Sequence, residues 1–203
     1  MSESTAVTPV FRVVFPNFFT PKPVMKNGKP VGDPLYGCEM LFDADNLGPE
    51  DAERFKNLKA TAVRVVKEKW PGRDLKEVRF PFRDGDKEAE RLAKLGKNGD
   101  FYRGMVALKS NSKFAPQVVD IDRQEIIDEK RVYSGCYCYA EVNFVAYDGV
   151  NGGQDGVKAY LNMVMKAKDG ERLMGRSASD VFAGVAGGES NEDPTAADDD
   201  IPF

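Results

Sequence analysis

Tyrosine and lysine side chains recur at alternate positions in residues 135–147 and 157–168. Side chains at alternate positions of a β-strand point to the same face, so each stretch would present a face of rings and cations. A tyrosine ring on such a face can stack on a nucleobase whatever its identity, and a lysine can meet a phosphate. The candidate nucleic-acid-binding side chains in these stretches are Tyr137, Tyr139, Tyr147, Tyr160 and Lys166.

Other predicted strands and one loop add cations to this surface. By alternation along its own strand, each of Arg12, Arg103 and Lys109 points away from the apolar side chains. The loop after Lys109 contains Lys113 and Phe114 beside two serine hydroxyls. Because rings and cations interleave, we predict that these side chains share one nucleic-acid-binding surface.

The opposite set of positions in the same two stretches is apolar, which predicts a buried face. Most of these side chains are small, as the curved inner wall of a closed sheet requires. The three cysteines then act as small apolar fillers. The predicted inward residues are Cys136, Cys138, Ala140, Val142, Phe144 and Ala146, followed by Val157, Ala159, Leu161, Met163, Met165 and Ala167.

The composition excludes several classes of enzyme and site. The 203 residues include no histidine, which removes Ser-His-Asp and Cys-His catalysis and histidine-ligated zinc. Cys38, Cys136 and Cys138 supply one ligand fewer than a structural zinc site needs. We therefore predict a protein that is not an enzyme, with no catalytic residue, no metal and no other cofactor.

Neither a membrane anchor nor a secretion signal is visible in the sequence. No stretch approaches the ~20 apolar residues of a membrane-spanning helix. The first residues lack the basic and apolar regions of a signal peptide. We expect a cytoplasmic protein with no membrane partner.

Two alternative functions stay open on the residues alone. The tyrosine-rich face could be an interface for a partner protein, since outward tyrosines in sheets often pack under another element. The acidic run from Asp120 through Asp122 to Glu125 could hold Mg²⁺ in a nuclease site, although no second acidic cluster accompanies it.

Hydrophobic periodicity predicts a mainly β chain with helices in one insertion. Strands are predicted at Val10–Phe15, Leu35–Phe42, Glu77–Phe82, Tyr102–Lys109, Gln117–Ile121, Gly135–Tyr147 and Val157–Lys168. Helices are predicted from Pro49 to Trp70, at Asp86–Leu95 and at Ser177–Phe182, and the first two make an insertion of about residues 49–95. Five or more strands with long loops indicate a small closed sheet.

Charge divides the chain into a mildly basic body and an acidic end. No Lys or Arg follows Arg176, and seven acids lie between Asp180 and Phe203. Residues 1–179 thus hold 29 basic and 26 acidic side chains, a net charge of +3. We predict a domain over 1–183 and a disordered acidic tail over 184–203. The predicted partner-binding tip of the tail is Asp198, Asp199, Asp200, Ile201, Pro202 and Phe203.

Several segments together resemble the single-stranded-DNA-binding proteins of tailed bacteriophages. They are Tyr133-Ser134-Gly135-Cys136-Tyr137, Tyr147-Asp148, Gly156 to Asn162, Asp169-Gly170-Glu171 and Asp180-Val181-Phe182, with the early strand around Arg12 and the run from Lys109 through Pro116 to Asp120. The similarity spans nearly the whole chain. Asp198 to Phe203 also resembles the C-terminal tip of bacterial single-stranded-DNA-binding proteins.

The resemblance implies an OB-fold, which is a five-stranded Greek-key barrel. It also implies sequence-independent binding of single-stranded DNA in phage DNA replication, recombination and repair, in the cytoplasm of an infected bacterial host. The tail would recruit replication proteins such as a DNA polymerase, helicase or primase, and its charge would compete with DNA for the groove. Duplex DNA would bind more weakly, if at all. The insertion of residues 49–95 is larger than a minimal barrel needs, and the resemblance gives it no role.

Overall fold

The computed structural model describes residues 3–26, 28–150 and 153–173, and it contains ten strands and two α-helices in those ranges. In chain order these are β1 (Thr5–Val7), β2 (Phe11–Lys22), β3 (Met25–Lys26), β4 (Lys29–Pro30), β5 (Leu35–Phe42), α1 (Pro49–Lys69), β6 (Phe82–Asp84), α2 (Gly85–Lys94), β7 (Val106–Ser112), β8 (Gln117–Val119), β9 (Tyr137–Tyr147) and β10 (Gly156–Lys168).

Five of these strands close into a ring. β2 pairs with β5, β5 with β7, β7 with β10, β10 with β9, and β9 with β2 again. All of these pairings are antiparallel except the one between β7 and β10, which is parallel. This is the strand order of an OB-fold barrel, so the predicted five-stranded barrel is confirmed. Short β1, β6 and β8 extend the sheet at its margins, and β3 and β4 form a separate hairpin.

The alternation predicted for β9 is confirmed along the strand. Cys138, Ala140, Val142 and Phe144 are buried in the barrel, and the side chains between them are half-buried or exposed. The three cysteines lie in the same core as free thiols, and burial raises the pKa of Cys38 well above its usual value. Their predicted role as small apolar fillers fits this packing.

The inward and outward side-chain positions predicted for β10 are correct only over its first half. Val157, Ala159 and Leu161 are buried, but Met163 is exposed and Val164 is fully buried instead. The pairing with β9 slips between Leu161 and Met163, so one extra residue exchanges the inner and outer positions beyond it. The predicted inward position of Met163 is therefore wrong.

The first long strand does not end at Pro16 as predicted. β2 continues to Lys22 through Pro16 and Pro21. The residues of β2 that pair with β5 beyond Val14 are Asn17 and Lys22, with a register shift before each. The prolines therefore fall at positions outside the regular ladder, where a missing N–H costs little.

Other boundaries differ by a few residues. β7 starts at Val106, because Tyr102 and Arg103 lie in a short 3-10 helix and the turn after it. The strand predicted over 77–82 is a 3-10 helix, Leu75–Glu77, followed by β6. The helix predicted at 177–182, the domain boundary at 183 and the acidic tail lie outside the described residues.

The two helices of the insertion cover different parts of the barrel. α1 starts at Pro49 with Glu50 and Asp51 in its first turn, and its apolar side chains join the barrel core, where the Phe55 ring lies 5.3 Å from the Phe42 ring. α2 covers the outer side, where Ala89 packs in a second cluster with Val14, Leu41, Tyr102 and Ala107. Neither helix is long and apolar enough to cross a membrane.

Leu58 tests whether α1 belongs to the barrel core. Its side chain is fully buried in the main cluster, so Leu58→Ala should lower the free energy of unfolding by about 2–5 kcal/mol. The matched control is Lys56→Ala on the same helix, whose side chain is 77% exposed and should change it by less than about 0.5 kcal/mol. Equal urea midpoints for the two variants would contradict this packing.

Candidate nucleic-acid interface

A segment of the insertion fills a gap between two strands of the barrel. β7 and β10 pair only through Ser110 and Asn111 with Ala159 and Tyr160. On the side of this contact where β10 begins, β6 pairs with the first half of β7 and Arg79 bridges to Gly156 at the start of β10. Residues 79–84 therefore stand between the two strands and form a wall beside their junction.

A groove of about 600 Å³ lies along this wall. Five cations and three aromatic rings line it, and no carboxylate does so among the described residues. The lining residues of this basic groove are Arg79, Arg83, Lys109, Lys113, Lys158, Phe80, Tyr147, Tyr160, Leu35, Pro81, Asn111, Ser112, Val157 and Ala159. Cations beside exposed rings can bind phosphates and bases together.

The five cations differ in their local partners. Lys113 pairs with Asp33 at 2.7 Å, which raises the pKa of the lysine and lowers that of the carboxyl. The Lys158 ammonium lies 4.8 Å from the centre of the Tyr147 ring. Arg83 pairs with two carboxylates behind the wall. Among the described residues, Arg79 and Lys109 form no ion pair.

Gly156 allows the wall and Tyr147 to approach each other. A Cβ at this position would lie 2.6 Å from the Tyr147 hydroxyl and 2.9 Å from the Arg79 carbonyl oxygen. Only glycine leaves room for both contacts. The absence of a side chain at Gly156 thus leaves space for the Tyr147 ring beside the wall, where it lines the groove.

The loop between β9 and β10 is tied to the insertion on both sides. Lys69 Nζ at the end of α1 lies 2.6 Å from Asp148, and the Trp70 indole donates to the same carboxylate at 3.3 Å. Arg73 pairs with Asp155 at 2.8 Å. The Asp155 carbonyl accepts the backbone N–H of Arg79 at 2.9 Å. These contacts hold the wall against the loop that joins Tyr147, at the end of β9, to the first residues of β10, which include Lys158.

The structure brings four of the ten predicted DNA-binding residues together in the basic groove. They are Lys109, Lys113, Tyr147 and Tyr160. Lys113 and Tyr160 are near enough for the tyrosine to affect the pKa of the lysine. Phe114 follows Lys113 directly and is 82% exposed, just beyond the lining residues.

Tyr139 lies under the first turns of α1. The Arg54 guanidinium is 5.6 Å from the centre of its ring, and burial together with the nearby Asp51 raises the pKa of its hydroxyl. The predicted outward direction is correct, but the insertion covers this part of the strand.

Three other predicted residues, Arg12, Tyr137 and Lys166, lie away from the groove. They are near the start of β9 and the end of β10, around the last described residues. The Arg12 guanidinium donates to the Glu171 carbonyl at 2.9 Å, and Lys168 lies 4.8 Å from the centre of the Tyr137 ring. Lys166 pairs with Asp169 at 2.6 Å, with only 12% of its side chain exposed. These residues attach the segment after β10 to the barrel and do not line the groove.

Arg103 is separate from both groups. The predicted strand that would have turned it outward starts only at Val106, and Arg103 lies in the preceding turn, paired with Asp100 at 3.2 Å. The strand position predicted for Arg103 is therefore wrong.

The acidic run proposed as a possible Mg²⁺ site has a structural role in the fold. The Asp120 carboxylate accepts backbone N–H groups from Asp122 and Gln124 and pairs with Arg131. It thus closes a tight turn after β8. Within the described ranges, no three carboxylate or thiol side chains converge in a way that could hold a metal ion.

The wall is the part of the interface that residue patterns missed. The sequence Arg79-Phe80-Pro81-Phe82-Arg83 places two rings and two cations around a proline, which is the composition expected of a nucleic-acid contact. That signal was available, but the segment belongs to the insertion and not to a strand of the predicted face. Only the fold brings it beside β7 and β10.

Comparisons with known proteins identify the family. The family model described as the ssDNA-binding protein of Enterobacter phage Enc34 matches residues 4–195. The chain belongs to this family. Protein p50 of Acyrthosiphon pisum secondary endosymbiont phage 1 is 30% identical over 200 aligned positions, which cover 93% of each chain.

Solved structures of the Enc34 protein have the same fold. The structure of that protein in complex with ssDNA aligns with a TM-score of 0.64 at 18% identity, covering 85% of this chain and 91% of that one. A C-terminally truncated form aligns with the same TM-score and identity, covering 85% and 90%. These similarities establish the OB-fold. The family model and these structures are described as ssDNA-binding proteins, which agrees with the prediction of a binding protein and not of an enzyme.

Trp70 is the only tryptophan of the chain. Its fluorescence therefore reports on the contacts with Asp148 that hold the wall in place. Asp148→Ala removes the carboxylate that Lys69 and the indole share. We expect a red-shifted Trp70 emission and stronger quenching by iodide, because the indole loses its partner and gains water. The melting temperature should change little, since the pair is exposed. Asp45→Ala, in an exposed loop, is the matched control, and identical spectra for the two variants would contradict the bracing contact.

Proposed function

We propose that the chain binds single-stranded DNA in the basic groove without regard to base sequence. The observation that carries this proposal is the joint lining of one groove by five cations and the rings of Phe80, Tyr147 and Tyr160. Membership of a family named for ssDNA binding, and an Enc34 structure in complex with ssDNA, support it.

The chemistry of the lining favours unpaired bases over a duplex. Base stacking on an aromatic side chain contributes about 1–3 kcal/mol per base and needs an exposed base face, which a duplex hides. The cations supply attraction to phosphates that does not depend on sequence, and each contact releases counterions. We expect duplex DNA to bind more weakly through the phosphate contacts alone.

The insertion gains a role in this proposal. Its segment 79–83 supplies two cations, a ring and a proline to the groove, and the Arg73 pair with Asp155 holds that segment in place. A minimal barrel without the insertion would offer only the side of the groove that the barrel strands and their loops form. The helices of the insertion therefore serve the binding site as well as the core.

We further propose that the acidic segment 184–203 regulates the groove and recruits partners. Its acids would compete with phosphates for the same cations. The tip from Asp198 to Phe203 combines charge with an apolar side chain, which suits a basic pocket on a replication protein such as a polymerase, helicase or primase. Together these activities fit a role in phage DNA replication, recombination and repair within the bacterial cytoplasm.

Tyr160 and Tyr139 form a matched pair for testing the groove. Tyr160 is 39% exposed and lines the groove, while Tyr139 lies under α1. Tyr160→Ala should weaken binding of a labelled dT oligonucleotide by about 1–3 kcal/mol in fluorescence anisotropy. Tyr139→Ala should leave affinity within about twofold after its fold is checked by circular dichroism.

Equal losses for both tyrosines would show that DNA follows the whole outer face of β9 and β10. No oligonucleotide binding by the intact protein at low salt would overturn the proposal and favour the protein-interface alternative. For true phosphate contacts, the log–log slope of affinity against salt should be about −0.7 per contact.

Deleting residues 184–203 should tighten ssDNA binding and steepen its salt dependence. The deletion removes Glu189, Glu192, Asp193 and the three aspartates at 198–200, which would otherwise occupy the cations. Deleting Phe203 alone is the control, because it removes the apolar tip without removing an acidic side chain. If the 1–183 protein and the full chain had equal affinity at every salt concentration, that result would contradict competition between the acidic segment and DNA.

A further inference from the structure

A buried carboxylate lies directly behind the wall of the basic groove. Glu39, on the outer face of β5, is only 9% exposed. The Tyr102 hydroxyl donates to it at 2.6 Å, and Arg83 forms an ion pair with it. The Tyr102 hydroxyl is protonated at neutral pH and can donate, and burial raises its pKa further, to about 12.

A second buried carboxylate approaches the same arginine from α2. Glu88 Oε2 lies 3.3 Å from Arg83 Nη1, and Arg91 holds Glu88 with two further contacts at 3.1 and 2.6 Å. These cations keep the pKa of Glu88 below its usual value despite its burial. Each of the two outer nitrogens of the Arg83 guanidinium thus has a carboxylate partner on the protein side.

The other side of Arg83 faces the basic groove. Its side chain is 35% exposed and lines the groove beside Lys109. The guanidinium is a planar fork with five N–H donors, and its orientation decides which of them reach a phosphate. Two carboxylates fixed by Tyr102 and Arg91 therefore set the plane in which the remaining donors lie.

Burying charged side chains is expensive, and an apolar pair of the same size is often as stable. Fold stability alone therefore gives little reason for Glu39 at this position. We propose that Glu39 is a positioning residue that orients the Arg83 guanidinium toward a DNA phosphate. This inference rests on the proposed ssDNA-binding function, and it adds a carboxylate that promotes the binding of a polyanion.

The direction in which one substitution changes DNA affinity distinguishes a positioning role from a simple effect of charge. Glu39 is also the cross-strand neighbour of Lys109, so Glu39→Gln removes a negative charge next to two groove cations. Electrostatics alone then predicts tighter DNA binding. Positioning predicts the opposite, because Arg83 loses its fixed orientation while its charge is unchanged.

The experiment uses the full chain and a labelled dT oligonucleotide in a salt series. Glu39→Gln should weaken binding about 10- to 100-fold, the range expected for loss of a hydrogen bond to a charged group. The magnitude of the salt slope should fall by about 0.7, which corresponds to one lost phosphate contact. Glu90→Gln, an exposed acid on α2, is the charge-matched control and should leave affinity unchanged or slightly increased.

A double-mutant cycle attributes the effect to Arg83. Arg83→Lys keeps the charge but loses the planar fork, so Glu39→Gln should cause no further loss in that background. Additive losses would assign the effect to general distortion and overturn the inference, as would tighter binding by Glu39→Gln with an unchanged slope. If the wild-type protein itself failed to bind the oligonucleotide, that result would contradict the proposed function and not the role of Glu39 in particular.

Discussion

The short parallel contact between β7 and β10 determines where the other parts of the interface can lie. It closes the barrel through two residue pairs only, with the buried Ser110 hydroxyl donating to the Ala159 carbonyl at 3.1 Å. Because the contact is so short, the two strands separate toward the start of β10. Backbone N–H and C=O groups left without hydrogen bonds in that gap would cost free energy. Residues 79–84 provide partners for them by pairing with β7 and bridging to Gly156.

Parts of the insertion are thus built into the barrel itself. α1 contributes Leu58 and Val66 to the barrel core, so the helix is fixed to the β9 side by apolar burial. From the end of that fixed helix, the chain reaches the gap through residues that pair with the loop between β9 and β10. A wall held at both ends can carry arginines in defined positions, which a free loop could not do.

Residue patterns predicted the parts of the site that depend on local periodicity. The inner and outer faces of β9 followed directly from alternation, and Tyr147 and Tyr160, which were predicted to point outward, line the groove. Periodicity failed where a bulge changed the phase, as at Met163, and it could not show what covers an outward side chain, as α1 covers Tyr139. The wall was missed because its position depends on closure of the barrel, which joins residues far apart in the chain.

The groove therefore lies across the parallel closing contact of the barrel, with Tyr160 in that contact and Arg79 and Arg83 on the inserted wall. A strand of DNA lying there would touch β7, β10 and the wall at once. A ligand that bound only the closed arrangement would, by mass action, stabilise the closure itself. Binding and integrity of the barrel are then linked through the same few residues.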